Sequence, residues 1–327
     1  MKTAVVLFNL GGPDSLAAVK PFLFNLFNDP AIIGVPKPIR YLLAKLISSR
    51  REKKAQAIYA QMGGRSPILP QTQAQAEALQ AALNAQGSDQ WRCFIAMRYW
   101  NPRAAVTLQE VIQWRPDRVV LLPLYPQFST TTTGSSLREW RELAEHANFK
   151  PRTTAITNYP TNAGWIDAVA ELARAAVGQA GRQPMVLFSA HGLPQKIVDA
   201  GDPYQRQVER TVAALRSRLA DLNFDSEICY QSRVGPLKWI GPSTEACILR
   251  AAAQKRVIVV VPVAFVSEHS ETLVELDIEY RHLAEANGAP GYVRAATVQT
   301  QPAFIAELAA LARRAAAADT DAIEGAA

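Results

Sequence analysis

Apolar, β-rich runs alternate along the chain with stretches of helical spacing. The runs at 4–10, 92–97 and 118–124 are followed, later in the chain, by comparable runs at 185–189, 227–231 and 257–264. Between them, segments 72–83, 137–146, 166–177, 204–219 and 272–286 repeat apolar residues three and four apart, the signature of a helix with one buried face. Apolar strands alternating with such helices predict an α/β, doubly wound architecture of parallel sheets covered on both faces. Two segments echo each other. RVVLLPLYPQFS and RVIVVVPVAFVS each run from an Arg through an apolar strand to a Pro-interrupted loop and then a helix. The echo predicts two similar halves, 1–150 and 151–315, with a seam near 148–154. The tail AAAADTDAIEGAA is low in complexity, and 316–327 are expected to be frayed and disordered.

Composition narrows this picture. A length of 327 residues suits two domains, and 49% hydrophobic residues excludes a largely disordered chain. The apolar runs stop well short of the roughly 20 residues that cross a bilayer. MKTAVVLFNLGGPD has no small-residue cleavage site and enters a Gly-Gly-Pro turn at once, so it reads as a first strand and not a signal peptide. The formal charge of +6 is modestly basic, and part of it lies in Arg50, Arg51, Lys53 and Lys54. Such a cluster is usually a solvated helix face; the functional alternative is a site for anionic ligands or an anionic membrane surface. No nucleic-acid motif accompanies it, which argues against a nucleic-acid partner. Cys93, Cys229 and Cys247 are far apart and form no CxxC. Three scattered thiols fit a reducing cytoplasm and are too few for a four-cysteine iron–sulfur cluster.

Ligands of parallel α/β sheets bind beyond the carboxyl ends of strands. The polar segments expected there are 11–14, 98–99, 129–136, 189–191, 231–233 and 267–271. Of four histidines, His146 and His282 lie in helical patterns among charged residues and read as surface groups. His191 follows a strand directly, where it can accept a proton, ligate a metal, or simply bond nearby backbone; position alone leaves these open. Glu268, His269 and Glu271 follow the most apolar strand and offer oxygen and imidazole donors to a divalent cation. Glu271, Glu275 and Glu279 share one helix face. Spacing favours an ordinary acidic outer face; the sharper reading is a carboxylate row that relays protons or attracts cations. GGPDS is neither GxGxxG nor a Walker loop, and GxSxG is absent. The hydroxyl-rich 129–136 segment serves equally as an anion site or a helix start.

NLGGPDS, GGRSPI, MRYWNP, YPQFSTTTTGSS, LFSAHGLP, GDPY, YQSRVGP with Trp239 just beyond, and FVSEHSETLVELDIEY occur in this order. Together they make the chain resemble the ferrochelatase family over nearly its whole length. The resemblance implies two Rossmann-like domains with a porphyrin cleft between them, and insertion of Fe2+ into protoporphyrin IX to give haem, the last step of that pathway. It assigns His191 to proton acceptance, iron contact or both. Glu271 and His269 fall on the opposite wall, with Glu271 a second iron contact and Glu275 and Glu279 as relay groups. Leu10, Phe265 and Trp239 match the apolar walls. Arg51, Tyr59, Ser66, Ser232 and Arg233 match positions that engage the propionates, and Arg98 and Tyr99 match residues beside the ring. Phe22, Leu23, Phe24 and Phe27 match a lip at the cleft mouth that suggests passing membrane contact.

Departures from the family pattern carry further expectations. Some relatives hold an iron–sulfur cluster through a Cys in the YPQ-S-hydroxyl loop. Thr130 stands there in this chain and the tail has no Cys, so neither a cluster nor any tightly bound cofactor is expected, and Fe2+ is a substrate. The coproporphyrin-using branch carries Tyr where this chain has Leu10, which favours protoporphyrin. The expected protein is a cytoplasmic monomer, peripheral at the inner membrane at most. The alternatives are a chelatase for coproporphyrin or another tetrapyrrole, and a non-catalytic haem or iron carrier.

Overall fold

β1 (Lys2–Asn9) is buried from Thr3 onward, as expected of a strand covered on both faces. The computed structural model describes residues 1–181, 183–233, 237–318 and 323–324. These divide into two compact units: 1–125, 129–158 and the chain from Leu308 onward form the first, and 126–128 with 159–307 form the second.

In the first unit β1 is followed by α1 (Val19–Phe27), α2 (Lys37–Ala60), α3 (Ile68–Asn84), β2 (Gln90–Met97), α4 (Ala104–Trp114), β3 (Arg118–Pro123), α5 (Thr133–His146) and β4 (Arg152–Ile156). The strands pair in parallel in the order β2-β1-β3-β4. Alternation along β1 sends Ala4, Val6 and Phe8 to one face. There they pack with Phe94, Val119 and Leu121 against Leu108 and Val111 of α4 and Leu137 and Trp140 of α5. Phe8 meets Trp140 edge to face at 5.7 Å between ring centroids.

The second unit contains α6 (Ala163–Ala180), β5 (Met185–His191), α7 (Gln195–Asp199), α8 (Tyr204–Arg218), β6 (Asp225–Gln231), α9 (Thr244–Ala253) and β7 (Ile258–Pro262). A π-helical segment (Glu271–Glu279), α10 (Tyr280–Ala286), β8 (Tyr292–Arg294) and the start of α11 (Pro302–Ala317) complete it. Its parallel sheet has the order β6-β5-β7-β8, the same order as the first with β5 in the place of β1. The echoing segments contain β3 and β7, which occupy equivalent positions in the two sheets. Leu187, Cys229, Ile258 and Val260 pack against Cys247, Ile248 and Ala251 of α9 and against Leu276, Tyr280 and Ala284.

α11 continues to Ala317, and Ile323–Glu324 (β9) pairs with β4 at the edge of the first sheet; 319–322 and 325–327 lie outside the described residues. The expected helix at 272–286 is two elements. Thr272, Val274 and Leu276 are buried in the first element, and Tyr280 and Ala284 in the second. The N–H of Tyr280 donates to the carbonyl of Glu275, five residues back, which is the π pattern.

Candidate active site

In each sheet the order reverses beside the first strand, so a crevice opens at the carboxyl ends of β1 and β3, and of β5 and β7. His191 is the last residue of β5 and stands at the second of these points. Gly192 then lets the ends of β5 and β6 approach closely. Its N–H donates to the Gln231 carbonyl at 2.9 Å, and a Cβ at this position would lie 2.9 Å from that same oxygen. Tyr204, in the GDPY motif, is buried and its hydroxyl oxygen faces the His191 backbone N–H.

Three groups converge on one oxygen of Glu271. His191 Nδ1 lies 2.8 Å from Oε2, so the two residues stand side by side in one unit and not on opposite walls; Ser232 Oγ lies at 3.1 Å and Gln231 Nε2 donates at 3.4 Å. Among the described residues, Oε1 of Glu271 carries no hydrogen bond. The Ser232 N–H donates to Glu275 Oε1 at 2.8 Å, Tyr280 OH donates to the same oxygen at 3.0 Å, and Ser232 Oγ meets Glu275 Oε2. The π-helical turn holds Glu271 and Glu275 together toward the end of β6. Glu279, the third member of the predicted row, is exposed and makes none of these contacts.

Burial and charge pull the dyad in opposite directions. Burial disfavours a charged His191 ring, but the Glu271 carboxylate outweighs it and raises the pKa above its usual 6.5. Burial likewise opposes an ionised Glu271, yet His191 and, behind it, His269 and Ser232 bring its pKa down to about 2. Glu275 moves up through burial and the neighbouring Glu271 charge. The dyad is still reachable: the side chains of His191 and Glu271 retain 39% and 23% exposure.

His269 is buried, its backbone N–H on Thr272 Oγ1 at 3.0 Å and its ring 4.5 Å from that of Phe265. Burial lowers its pKa, and its Nδ1 has no hydrogen-bond partner among the described residues. Next to it, Glu268 accepts from Arg294 Nη1 at 3.1 Å and from the Thr297 N–H at 3.0 Å. Arg294 Nε reaches Asp277 of the π segment at 3.3 Å. No group of three or more His, Cys, Asp or Glu side chains among the described residues is arranged to hold a metal. What the second unit offers a cation is therefore a dyad whose remaining coordination positions must come from elsewhere.

The ferrochelatase family profile matches residues 2–316. A ferrochelatase of Caulobacter vibrioides is 55% identical over 315 residues, covering 95% of this chain and 90% of that protein. One of Wolbachia pipientis wMel is 50% identical over 313 residues, covering 95% and 98% respectively. The chain belongs to the ferrochelatase family. Among solved structures, SirB of Bacillus subtilis with Fe3+ shares the fold at 13% identity, with a TM-score of 0.57 over 97% of this chain and 96% of that one.

Within this ferrochelatase chain, the other predicted residues distribute as follows. In the first unit Leu10, Tyr59, Tyr99, Phe22, Leu23 and Phe27 share one cluster, and the Arg51 guanidinium lies over the Phe27 ring at 5.8 Å. Ser66 is buried, its hydroxyl accepting from the Ile68 N–H at 3.3 Å. Arg98 and Tyr99 are held from within. Asp29 accepts from Arg98 Nη2 at 2.7 Å, Tyr99 OH at 2.8 Å, Ser135 Oγ at 2.7 Å and the Ala31 N–H at 2.8 Å. Glu139 takes a second nitrogen of Arg98 at 3.0 Å. In the second unit Arg233 is exposed with Nη2 on the Trp239 carbonyl at 3.3 Å, and the buried indole N–H of Trp239 has no partner among the described residues. Positions 234–236 of the YQSRVGP motif lie outside the described residues.

Several residues that build the site have no assignment from the sequence. Gln231 and Tyr204 sit inside matched motifs, so a signal existed for them. Asp277 also sits inside a matched motif, whereas Asp29 and Arg294 act through contacts distant in sequence and no local pattern marks them. His146 and His282 are exposed, as their charged surroundings suggested. Among the described residues no helix is long and apolar enough to cross a membrane.

Proposed function

We propose that the chain inserts Fe2+ into protoporphyrin IX with release of two protons, forming protohaem at the end of haem synthesis. The observation that carries this reading is the His191–Glu271 dyad at the carboxyl end of β5, in a chain of the ferrochelatase family. Insertion requires three things: a base for pyrrole protons, a polar contact that replaces water on the iron, and a shaped apolar wall for the macrocycle.

The dyad answers the first two. With Nδ1–H donated to Glu271, the His191 lone pair on Nε2 is free to take a pyrrole proton. The imidazolium that forms lies against a carboxylate, which lowers the cost of the charge. Glu271 Oε1 is the oxygen left for Fe2+; the single Nε2 lone pair of His191 can contact the iron or take a proton but not both at once, so His191 takes its proton only after the iron has passed to the ring. Two protein contacts hold iron weakly enough to be surrendered to four ring nitrogens. His269, its ring 4.5 Å from that of Phe265, supports this wall. Glu275 continues the carboxylate row, and the exposed Glu279 is the candidate outlet toward solvent.

For the macrocycle, Leu10, Trp239 and Phe265 supply apolar surface, and Arg51, Tyr59, Ser66 and Arg233 supply cations and hydroxyls suited to two propionates. Arg98 and the buried Tyr99, braced by Asp29, support the ring's surroundings. The reading extends to a cytoplasmic monomer without an iron–sulfur cluster that touches the inner membrane in passing. Exposed Ile39, Tyr41, Leu42 and Leu46 on α2, on the helix that carries Arg50, Arg51, Lys53 and Lys54, support the membrane contact.

The test is anaerobic incubation of purified protein with Fe2+ and protoporphyrin IX, followed by the porphyrin spectrum. Conversion to the haem spectrum is expected. Tight haem binding without turnover would replace the enzyme by a carrier, and turnover of coproporphyrin alone would overturn the substrate. Vesicle co-sedimentation and light scattering check the membrane and monomer expectations.

A further inference from the structure

Ser232 is the first residue after β6, and its backbone is left-handed, with φ of +61°. For a residue with a side chain that conformation costs of order 1 kcal/mol or more, and glycine or asparagine would adopt it more readily. Holding a serine there needs a return, and the contacts supply one. The left-handed turn aims both the N–H and the hydroxyl of Ser232 at the π-helical segment. The N–H donates to Glu275 Oε1 at 2.8 Å, and the hydroxyl meets Glu271 Oε2 at 3.1 Å and Glu275 Oε2 as well. The N–H is thus spent on Glu275, and the hydroxyl stands between the two carboxylates with its one hydrogen to share, a bridge between groups that would otherwise repel each other.

The clamp has a directional consequence. Glu275 is held at both oxygens, by Ser232 and by Tyr280. Glu271 is held at Oε2 only, by His191, Ser232 and Gln231. Ser232, the one of these three groups that also holds Glu275, thus joins His191 and Gln231 in fixing which oxygen of Glu271 is left over. We infer that Ser232 is a positioning residue for the Glu271–Glu275 pair, orienting Glu271 so that Oε1 faces the incoming cation, and is not a contact to the carboxylate arms of the macrocycle. This inference rests on the ferrochelatase reading of the site and deepens it, because it transfers Ser232 from the grip on the organic substrate to the handling of the metal.

Two variants separate the hydroxyl from the backbone. Ser232→Gly relieves the left-handed strain and keeps the N–H while deleting the hydroxyl; Ser232→Ala deletes the hydroxyl and keeps the strain. Steady-state insertion is measured with Fe2+ varied at saturating protoporphyrin and the reverse, alongside porphyrin affinity by quenching of tryptophan fluorescence without metal. Loss of a hydrogen bond to a charged group predicts that both variants lower kcat/KM for Fe2+ by about tenfold or more. The KM for porphyrin and its metal-free affinity stay within about twofold of the wild type. Thermal unfolding is measured on both variants, and Ser232→Gly is expected to melt within a few degrees of the wild type, which separates a loss of insertion from a loss of stability. If either variant weakens porphyrin binding and leaves the Fe2+ dependence unchanged, Ser232 belongs to the propionate contacts and the inference is overturned. Failure of the wild type itself to insert iron overturns the ferrochelatase reading and the inference with it, an outcome read from a different sample.

Discussion

Replacing Asp29 by Ala removes the acceptor on which Arg98, Tyr99, Ser135 and the Ala31 N–H converge. The carboxylate is buried, and breaking a buried ion pair by deleting one partner typically costs about 3–5 kcal/mol. The lower end applies to the charge itself, because Arg98 keeps Glu139 at 3.0 Å and Ser135 at 2.8 Å. The buried Tyr99 hydroxyl, however, loses its partner, at about 1–3 kcal/mol. A loss of about 4 kcal/mol is therefore expected, a large part of the 5–15 kcal/mol that holds a typical protein folded. Urea unfolding followed by tryptophan fluorescence measures it, with the slope of the transition checked so that a change in cooperativity is not read as stability. The Tyr99→Phe variant, which leaves Asp29 three other donors, should lose only about 1 kcal/mol. The pH dependence has a definite sign. Burial raises the Asp29 pKa, but Arg98, then Ser135, Ala31 and Tyr99, pull it below its ordinary 3.8. Its contribution is thus complete above that pH and is lost as pH falls below it. The gap between wild type and Asp29→Asn should be constant from neutral pH to pH 5 and close in stronger acid. A loss under about 1 kcal/mol for Asp29→Ala, or a gap that widens in acid, would refute this reading of the network.

His191→Ala should lower iron insertion by about 10²–10⁴-fold with an unchanged circular dichroism spectrum; retained activity would remove it from the centre of the chemistry. Gly192→Ala drives a Cβ toward the Gln231 carbonyl and should destabilise by about 1–3 kcal/mol. Insertion should fall more steeply in that variant, since Gln231 and His191 move with the strand end; urea unfolding and initial rates check the two effects. Arg294→Met leaves Glu268 buried without its cation and should cost about 3–5 kcal/mol. Adding Glu268→Gln in the same chain should restore part of that loss in the same assay.

The strands were legible because burial on both faces writes itself into sequence as near-continuous apolar runs; β3 and β7 even repeat one another. Helix starts were less so. α5 begins at Thr133 and not near Leu137 because its first turn is built from buried hydroxyl residues, which carry no apolar stripe. α2 shows in the sequence only as a basic cluster, since its outer face exposes both charges and large apolar side chains. At the site, His191 stood out by its place at a strand's end. The acidic row was ambiguous, and the structure divides it: Ser232 captures Glu275, while Glu279 remains outside. That division depends on the left-handed turn at Ser232 and on the π geometry, both set by contacts from β6 and β8 that no local spacing records. Asp29 was invisible for the same reason. A single carboxylate in a loop says nothing about four donors gathered from 31, 98, 99 and 135.

The π-helical segment between Glu271 and Glu279 carries more residues per turn than an α-helix over the same span. Contacts from outside hold it in that wider form, including Arg294 on Asp277 and Tyr292 on the Leu276 carbonyl. Length is therefore a determinant at this position, separate from side-chain identity. Deleting one residue from the segment would let it relax toward the α form while keeping nearly every side chain, and would rotate Glu271 and Glu275 out of register with Ser232. In genetic terms, this stretch should tolerate many substitutions on its outer side and almost no in-frame deletions.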